Sequence, residues 1–374
     1  MFSSRFLCFA LLVLLFGCSK DPTENFLPPG VTADALVASI DTDQPHETSI
    51  QAAIDAAPAD GGWTIAIAPG EYYEHIVINK PNITLIGAGP DKTKIVFDRY
   101  AGKPVMPASE ETLGAYRTAT VEVTRTNATI ANLTIENAFD FLTNDALEAD
   151  DPKKTAGAQA IALKLAEYTD KTTVDNVHLL GYQNTLYVQG GRSYFRGGEI
   201  RGNIDIISGN GNGYFDNVAI VSRPRGKTEH ATGYVTAPST LITDAFGFTF
   251  VNCKLTREDG VPDNSVPLGR PWHPVTTFAD GRYAHPFAAG KATFINTWMD
   301  KHITSGGWAS MVGNTKDGSS HVFSPYDDAR FAEFGSSGPG AAVNNERPQL
   351  SEEEKALFSA FNILDGWEPL KNEH

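Results

Sequence analysis

The chain has 374 residues, a formal net charge of −15 and an apolar fraction of 41%. That length holds a full hydrophobic core in one large domain or two smaller ones, and the apolar content excludes a disordered chain. The acidic balance excludes the phosphate-neutralising surface that nucleic acids require, and it disfavours a polyanion whose carboxylates are all free.

The chain opens with one positive charge, Arg5, followed by an unbroken apolar run from Phe6 to Phe16. Such a run is too short to span a bilayer as a helix and has the length of a signal-peptide core. It ends in Leu15-Phe16-Gly17-Cys18, a pattern similar to a bacterial lipobox, in which Cys18 is lipidated and becomes the mature N-terminus. Residues 1–17 are therefore expected to be a lipoprotein signal peptide, with plain secretion or an uncleaved anchor as the other outcomes. Ser19 after Cys18 implies an outer-membrane lipoprotein, held to the membrane through its lipid alone. Residues 18–44 carry Pro22, Pro28 and Pro29 among acidic residues without periodicity and are expected to be a tether. Residues 45–374 form the folded domain, expected to be monomeric. Cys8 lies in the leader, so Cys253 stands alone after processing and no intrachain disulfide can form. Its strand-like setting marks it as a small buried residue rather than a reactive thiol.

Within the domain, Thr48-Ser49-Ile50-Gln51 predicts a capped helix start, with Ile50, Ala53, Ile54 and Ala57 on one face and Pro58 as the stop. Short segments with period-two alternation follow: 63–67, 76–78, 83–86, 94–97, 120–123 and 133–135. A single pattern recurs along them, an Asn leading an alternating strand, at Asn132, Asn176, Asn217, Asn252 and Asn296. Its intervals of 44, 41, 35 and 44 residues match two turns of a coil of about twenty residues, the period of a β-solenoid. Asn suits such corners because it tolerates the left-handed conformation, and Asn82, Asn127 and Asn132 in Asn-x-Thr triplets read as corners rather than glycosylation acceptors. A β-sandwich would also give many short strands. At the end, Leu350 precedes a second capping box at Ser351 to Glu354, and Ala356, Leu357, Ala360 and Phe361 predict the apolar face of a helix packed on the solenoid.

No G-x-S-x-G, H-E-x-x-H or phosphate-binding loop occurs, and the nine His show no metal-ligand spacing, so neither metal nor cofactor is implied. What remains is a set of polar residues inside the strand region. Gly70-Glu-Tyr-Tyr-Glu74, Gln159-Ala-Ile-Ala-Leu163, Gly181-Tyr-Gln-Asn-Thr-Leu-Tyr187, Gly202-Asn-Ile-Asp-Ile-Ile-Ser-Gly209 and Leu268-Gly-Arg-Pro-Trp272 follow one another in this order. Together they resemble the five signature blocks of the pectin methylesterases, carbohydrate esterase family 8, over residues 49–369.

The resemblance implies a single-stranded, right-handed parallel β-helix, all-β, with short N- and C-terminal capping helices. It implies an ester hydrolase acting on pectin or oligogalacturonate. Asp205, flanked by Ile204, Ile206 and Ile207, needs a partner in such an apolar strand, and the resemblance sets Arg270 against it, keeping it ionised as a nucleophile. Gln159 and Gln183 would donate to the oxyanion, and Trp272 and Tyr187 would meet the sugar.

Two of the blocks depart from the family pattern, at three positions. Asn184 stands where an Asp normally protonates the leaving methoxide, and an amide has no acidic proton to deliver. Ile206 and Ser208 stand where the family usually has Phe, which makes the groove beside Asp205 less aromatic. Three functions follow: a pectin methylesterase whose leaving group takes its proton elsewhere, an esterase or thioesterase for a better leaving group, or a surface protein that binds oligogalacturonate without turnover. The whole Leu268 to Trp272 block and the two glutamines favour catalysis over binding alone, Asn184 with Ser208 favours a shifted substrate, and the stretch from Gly269 to Tyr283, which resembles bacterial pectin methylesterases, favours the first.

Overall fold

The computed structural model describes residue 27 and residues 30–39, 45–227 and 233–370. The leader, Cys18 and most of the tether lie outside the described residues. Parallel strands stack along a solenoid axis in three faces. The first face runs from Ala35–Val37 through Thr64–Ile67, Thr84–Gly87, Thr129–Asn137, Thr172–Leu180, Arg192–Arg196, Asn212–Asp216, Phe248–Val251 and Lys291–Ile295 to Arg330–Phe334. The second includes Gly70–Tyr73, Thr93–Phe97, Glu199–Gly202, Ala219–Ser222 and Lys254–Arg257, and it joins the first where the nine-residue strands 129–137 and 172–180 bend round a corner. The third stacks Ile76–Ile78, Val121–Val123, Leu163–Leu165, Leu186–Val188, Ile207–Gly209 and Thr236–Pro238. This is the expected right-handed parallel β-helix.

The sequence builds it by repetition. Each coil places one apolar residue inward at the same height, so like stacks on like. Phe195, Phe215, Phe250 and Phe294 form a continuous stack with centroid spacings of 4.6, 4.6 and 4.5 Å. Ile, Leu and Val fill the rest of a single large core. The corners between the first and second faces are made largely by the recurring asparagines: Asn132, Asn176, Asn217, Asn252 and Asn296 all have φ between 50° and 55°. The expected two coils per interval hold only from Asn176 to Asn217, where Gly197 and Gly198 make the corner between; Asn132 to Asn176, Asn217 to Asn252 and Asn252 to Asn296 each span a single coil lengthened by an excursion. Asn176 donates to Asn132 at 2.8 Å and Asn127 to Asn82 at 2.9 Å, so neighbouring corners are laced together. Cys253 is buried, and burial pushes its thiol up to about 12.

Both helix caps form, with corrections to the expected detail. The first helix, Ile50–Ala56, buries Ile50, Ala53 and Ile54 against the first coils, but its N-cap is Ser49. The reciprocal acceptor is Glu74, which takes hydrogen bonds from the backbone of Ile50 and Gln51, while the Gln51 side chain bonds Asp55 and Val77 instead. The C-terminal capping box of Ser351 and Glu354 is present. Of the predicted stripe only Ala360 packs on the solenoid. Ser359 caps a second short helix, Ala360–Ile363, and the break turns Leu357 and Phe361 outward, 59% and 65% exposed. Phe358, Ile363, Leu364 and Trp367 pack on Tyr194 and Tyr214 in their place.

A buried ion pair and a buried histidine stand out. Glu333 and Arg347, both fully buried, are joined by hydrogen bonds of 2.7 and 2.6 Å, and Arg347 also donates to the Gly340 carbonyl at 2.9 Å. His302 is fully buried with neither ring nitrogen hydrogen-bonded among the described residues. Burial, aided by Arg257 and only partly opposed by Asp300 and Asp263, pushes it down to about 4. The unfolded chain takes up this proton near pH 6.5, whereas the fold resists it until about pH 4. Stability is therefore lost as pH falls through that window and levels off below it, by about 3 kcal/mol in all from this residue. Denaturant unfolding at pH 7 and pH 4.5 of wild type and His302→Leu should show a smaller acid loss in the variant, by about 2 kcal/mol; equal losses would remove His302 as the cause.

Candidate active site

The corner leading into the third face gathers the polar residues. Asn184 and Asp205 sit on it one coil apart, both left-handed at φ 60° and 51°. Asn and Asp accept this conformation better than other non-glycine residues because their short side chains bond locally. The Asn184 amide donates to the Ile204 carbonyl at 3.0 Å, and Leu186 pairs with Ile207 and Tyr187 with Ser208. Gln183 enters from the same turn and Gln159 from the coil before, where Ala160 donates to the Gln183 carbonyl. Arg270 comes from beyond the next coil, its amide bonded to the Thr236 carbonyl at 3.1 Å.

Arg270 grips Asp205 at both oxygens: Nε to Oδ1 is 2.8 Å and Nη2 to Oδ2 is 2.7 Å. Its guanidinium lies 4.0 Å from the ring centre of Tyr234. Burial opposes the Arg270 charge, but the Asp205 carboxylate outweighs it and holds the guanidinium's affinity for its proton above the usual value. Asp205 is only 7% exposed, yet it borders a cleft of about 230 Å³. Gln159, Gln183, Asn184, Tyr187, Arg270 and Trp272 border the same cleft, with Tyr116, Ile161 and Met311. Each carboxylate oxygen accepts one bond from Arg270 and keeps a lone pair for attack. Neither glutamine amide is engaged by a hydrogen bond among the described residues, so both remain available as donors. Tyr187 and Trp272 meet edge-on at 6.2 Å, forming an apolar wall. The Asn184 side chain is held by Ser208: Nδ2 donates to Oγ at 2.9 Å. Among the described residues no group of three or more His, Cys, Asp or Glu is placed to hold a metal ion.

An ion-paired carboxylate, two free amide donors and an aromatic wall on a parallel β-helix fit acyl transfer from a carbohydrate ester. The family model described as Pectinesterase matches residues 34–351. The chain belongs to the pectinesterase family. It is 39% identical to Pectinesterase A of Dickeya chrysanthemi over 342 residues, 90% of this chain and 92% of that protein. A pectin methylesterase from Yersinia enterocolitica superposes with a TM-score of 0.82 at 46% identity, over 86% of this chain and 99% of that one. A crystal structure of pectin methylesterase in complex with a hexasaccharide superposes with a TM-score of 0.87 at 38% identity, covering 91% and 99%. As a pectinesterase the protein is a carboxylic ester hydrolase.

Sequence reasoning missed three parts of this pectinesterase site. Tyr234 lies on the coil after Asp205, where its carbonyl accepts from the Ile206 amide, but the chain between them is longer than a regular coil of about twenty residues, so the period does not reveal it. Tyr116 lies in the short helix Ala115–Arg117, and Met311 comes from the hairpin 311–323. No period marks either segment.

Proposed function

We propose that the protein hydrolyses the methyl esters of pectin or oligogalacturonate through an acyl-enzyme on Asp205. The observation that carries this is the two-point Asp205–Arg270 pair bordering a cleft with two unengaged glutamine amides. One Asp205 oxygen attacks the ester carbonyl carbon, and the carbonyl electrons move onto oxygen, where Gln159 and Gln183 donate to it. Each such donor is worth about 10²–10³ in rate. Collapse breaks the bond to methoxide, which takes its proton from water because Asn184 has none to give. Water then attacks the anhydride carbonyl, releases the acid and returns Asp205 as carboxylate. Trp272 and Tyr187 offer the sugar an apolar surface.

Asn184 favours a second reading, an esterase or thioesterase for a better leaving group. General acid help worth about 10²–10⁴ is absent, and a thiol with a pKa of about 8.5 leaves without it. A third, binding without turnover, lacks any observation in its favour beyond Asn184. The leader and Cys18 support an envelope setting and a lipid-anchored monomer. The expected tether of residues 18–44 is too long: Ala35–Val37 is already the first strand of the first face, with Val37 buried in the core, so the catalytic domain begins there rather than at residue 45. No helix among the described residues is long and apolar enough to cross a membrane.

The test is methanol release from methylated pectin and its oligomers, beside hydrolysis of an aryl ester and an acyl thioester, by the soluble chain from residue 19. Methanol release with saturable kinetics is expected. Thioester turnover with kcat/KM a hundredfold higher would favour the second reading, and oligomer binding without any product the third.

A further inference from the structure

Ser208 has no place in the chemistry above, yet it is fully buried, and among the described residues the one side-chain hydrogen bond of its hydroxyl is with Asn184, which also departs from the family pattern. It lies three residues beyond Asp205 in the strand Ile207–Gly209 and pairs in register with Tyr187, so it sits beneath the wall of the cleft. Asn184 has a backbone fixed by the coil and a left-handed φ of 60°, which leaves its side chain few directions. Spending one N–H on Ser208 Oγ removes most of the remaining freedom.

We propose that Ser208 is a positioning residue for Asn184, one that fixes the carboxamide so that its second N–H serves the leaving-group oxygen by hydrogen bond, without proton transfer. This rests on the esterase reading. Residue 184 therefore does not act alone: the leaving-group side of the site is a pair, and both members differ from the usual family pattern. The pair also keeps the charge of the site neutral, because Arg270 balances Asp205 and the amide adds nothing.

The same hydroxyl governs what a carboxyl at position 184 would do. Set 2.9 Å from Ser208 Oγ, it would accept the hydroxyl proton in a hydrogen bond. Hydrogen bonding to the charged form favours that form. Asn184→Asp alone would then create a carboxyl that ionises too readily to be a good general acid. Asp205 would push its affinity for a proton up and Arg270 would pull it down. Tyr116 and Tyr187 border the same cleft, and burial pushes both phenols up, so they carry no charge near neutrality. These influences are common to variants that differ only at Ser208, and they cancel in a comparison of the two.

The experiment compares Asn184→Asp with Asn184→Asp/Ser208→Ala in two ways. A carbon-13 NMR titration reads the introduced carboxyl directly, and the pH profile of kcat for methanol release reads it through function. Removal of the hydroxyl is expected to raise the titration midpoint by about one unit. The alkaline limb of kcat moves with it, because the acid must be protonated to act, and turnover at neutral pH rises about tenfold. In the chain with Asn184, Ser208→Ala should lower kcat several-fold with KM unchanged. Ser208→Cys, nearly the same size and a weaker hydrogen-bond partner, gives the same test should the alanine variant not fold. Identical midpoints with and without Ser208, or an effect on KM alone, would overturn the proposal. A shifted midpoint with no methanol from any variant would leave the contact standing and overturn the esterase reading instead.

Discussion

Asp205→Asn should lower kcat for methanol release by roughly four orders of magnitude or more, because the amide that replaces the carboxylate is not a nucleophile at neutral pH. The effect also includes the loss of the Arg270 grip. In the variant an amide N–H would face Arg270 Nη2 across the present 2.7 Å contact, donor against donor. Asp205→Ala separates the two contributions, since it leaves Arg270 over Tyr234 without a clash. Both variants should bind oligogalacturonate with affinity close to wild type if the sugar is held by the cleft walls. The checks are steady-state kinetics, a binding isotherm and a thermal melt on the same preparations. Activity within tenfold of wild type in both variants would rule out an acyl-enzyme on this residue.

The second large effect concerns stability. Glu333→Gln is expected to cost about 3–5 kcal/mol, because it leaves the Arg347 guanidinium charged and uncompensated where neither side chain reaches solvent. Arg347→Met should cost a similar amount by stranding Glu333. The double change Glu333→Leu/Arg347→Met should recover much of the loss, since apolar residues of similar volume often replace a buried pair without penalty. Urea unfolding of these variants measures this, and Glu333→Leu alone closes the cycle with Arg347→Met from which the interaction is read. A cost below 1 kcal/mol for Glu333→Gln would mean that water reaches the pair.

Much of the scaffold was legible because a coil repeats its demands. Most corners between the first and second faces take a left-handed residue, and Asn132, Asn176, Asn217, Asn252 and Asn296 answer it as a residue whose recurrence is visible without a structure, although excursions stretch most of those coils well beyond the expected length. The residues now bordering the cleft were named from ordered blocks, since Gln159, Gln183 and Asp205 occupy neighbouring coils and keep their order. What escaped is what repetition does not encode. Glu74 caps a helix that begins 24 residues before it, a pairing set by the way the chain folds back. The C-terminal stripe failed at Ser359, whose cap starts a new helix and turns Phe361 to solvent. Met311 reaches the cleft from an antiparallel hairpin outside the coil period. The Ser208 contact was hidden for another reason: a hydroxyl in an apolar strand looks like a conservative loss of bulk until its partner is seen.

The Glu333–Arg347 pair has a meaning that comes from its address. In a stack where each layer touches only the layers before and after it, stability behaves as a one-dimensional sum, and unravelling starts wherever a terminal layer lacks a neighbour. Glu333 belongs to the last rung of the first face, beside Phe294, and Arg347 draws the chain that follows across that open end. The pair thus acts as a terminal stopper, and the cleft, set several layers inward, stays assembled while the ends breathe.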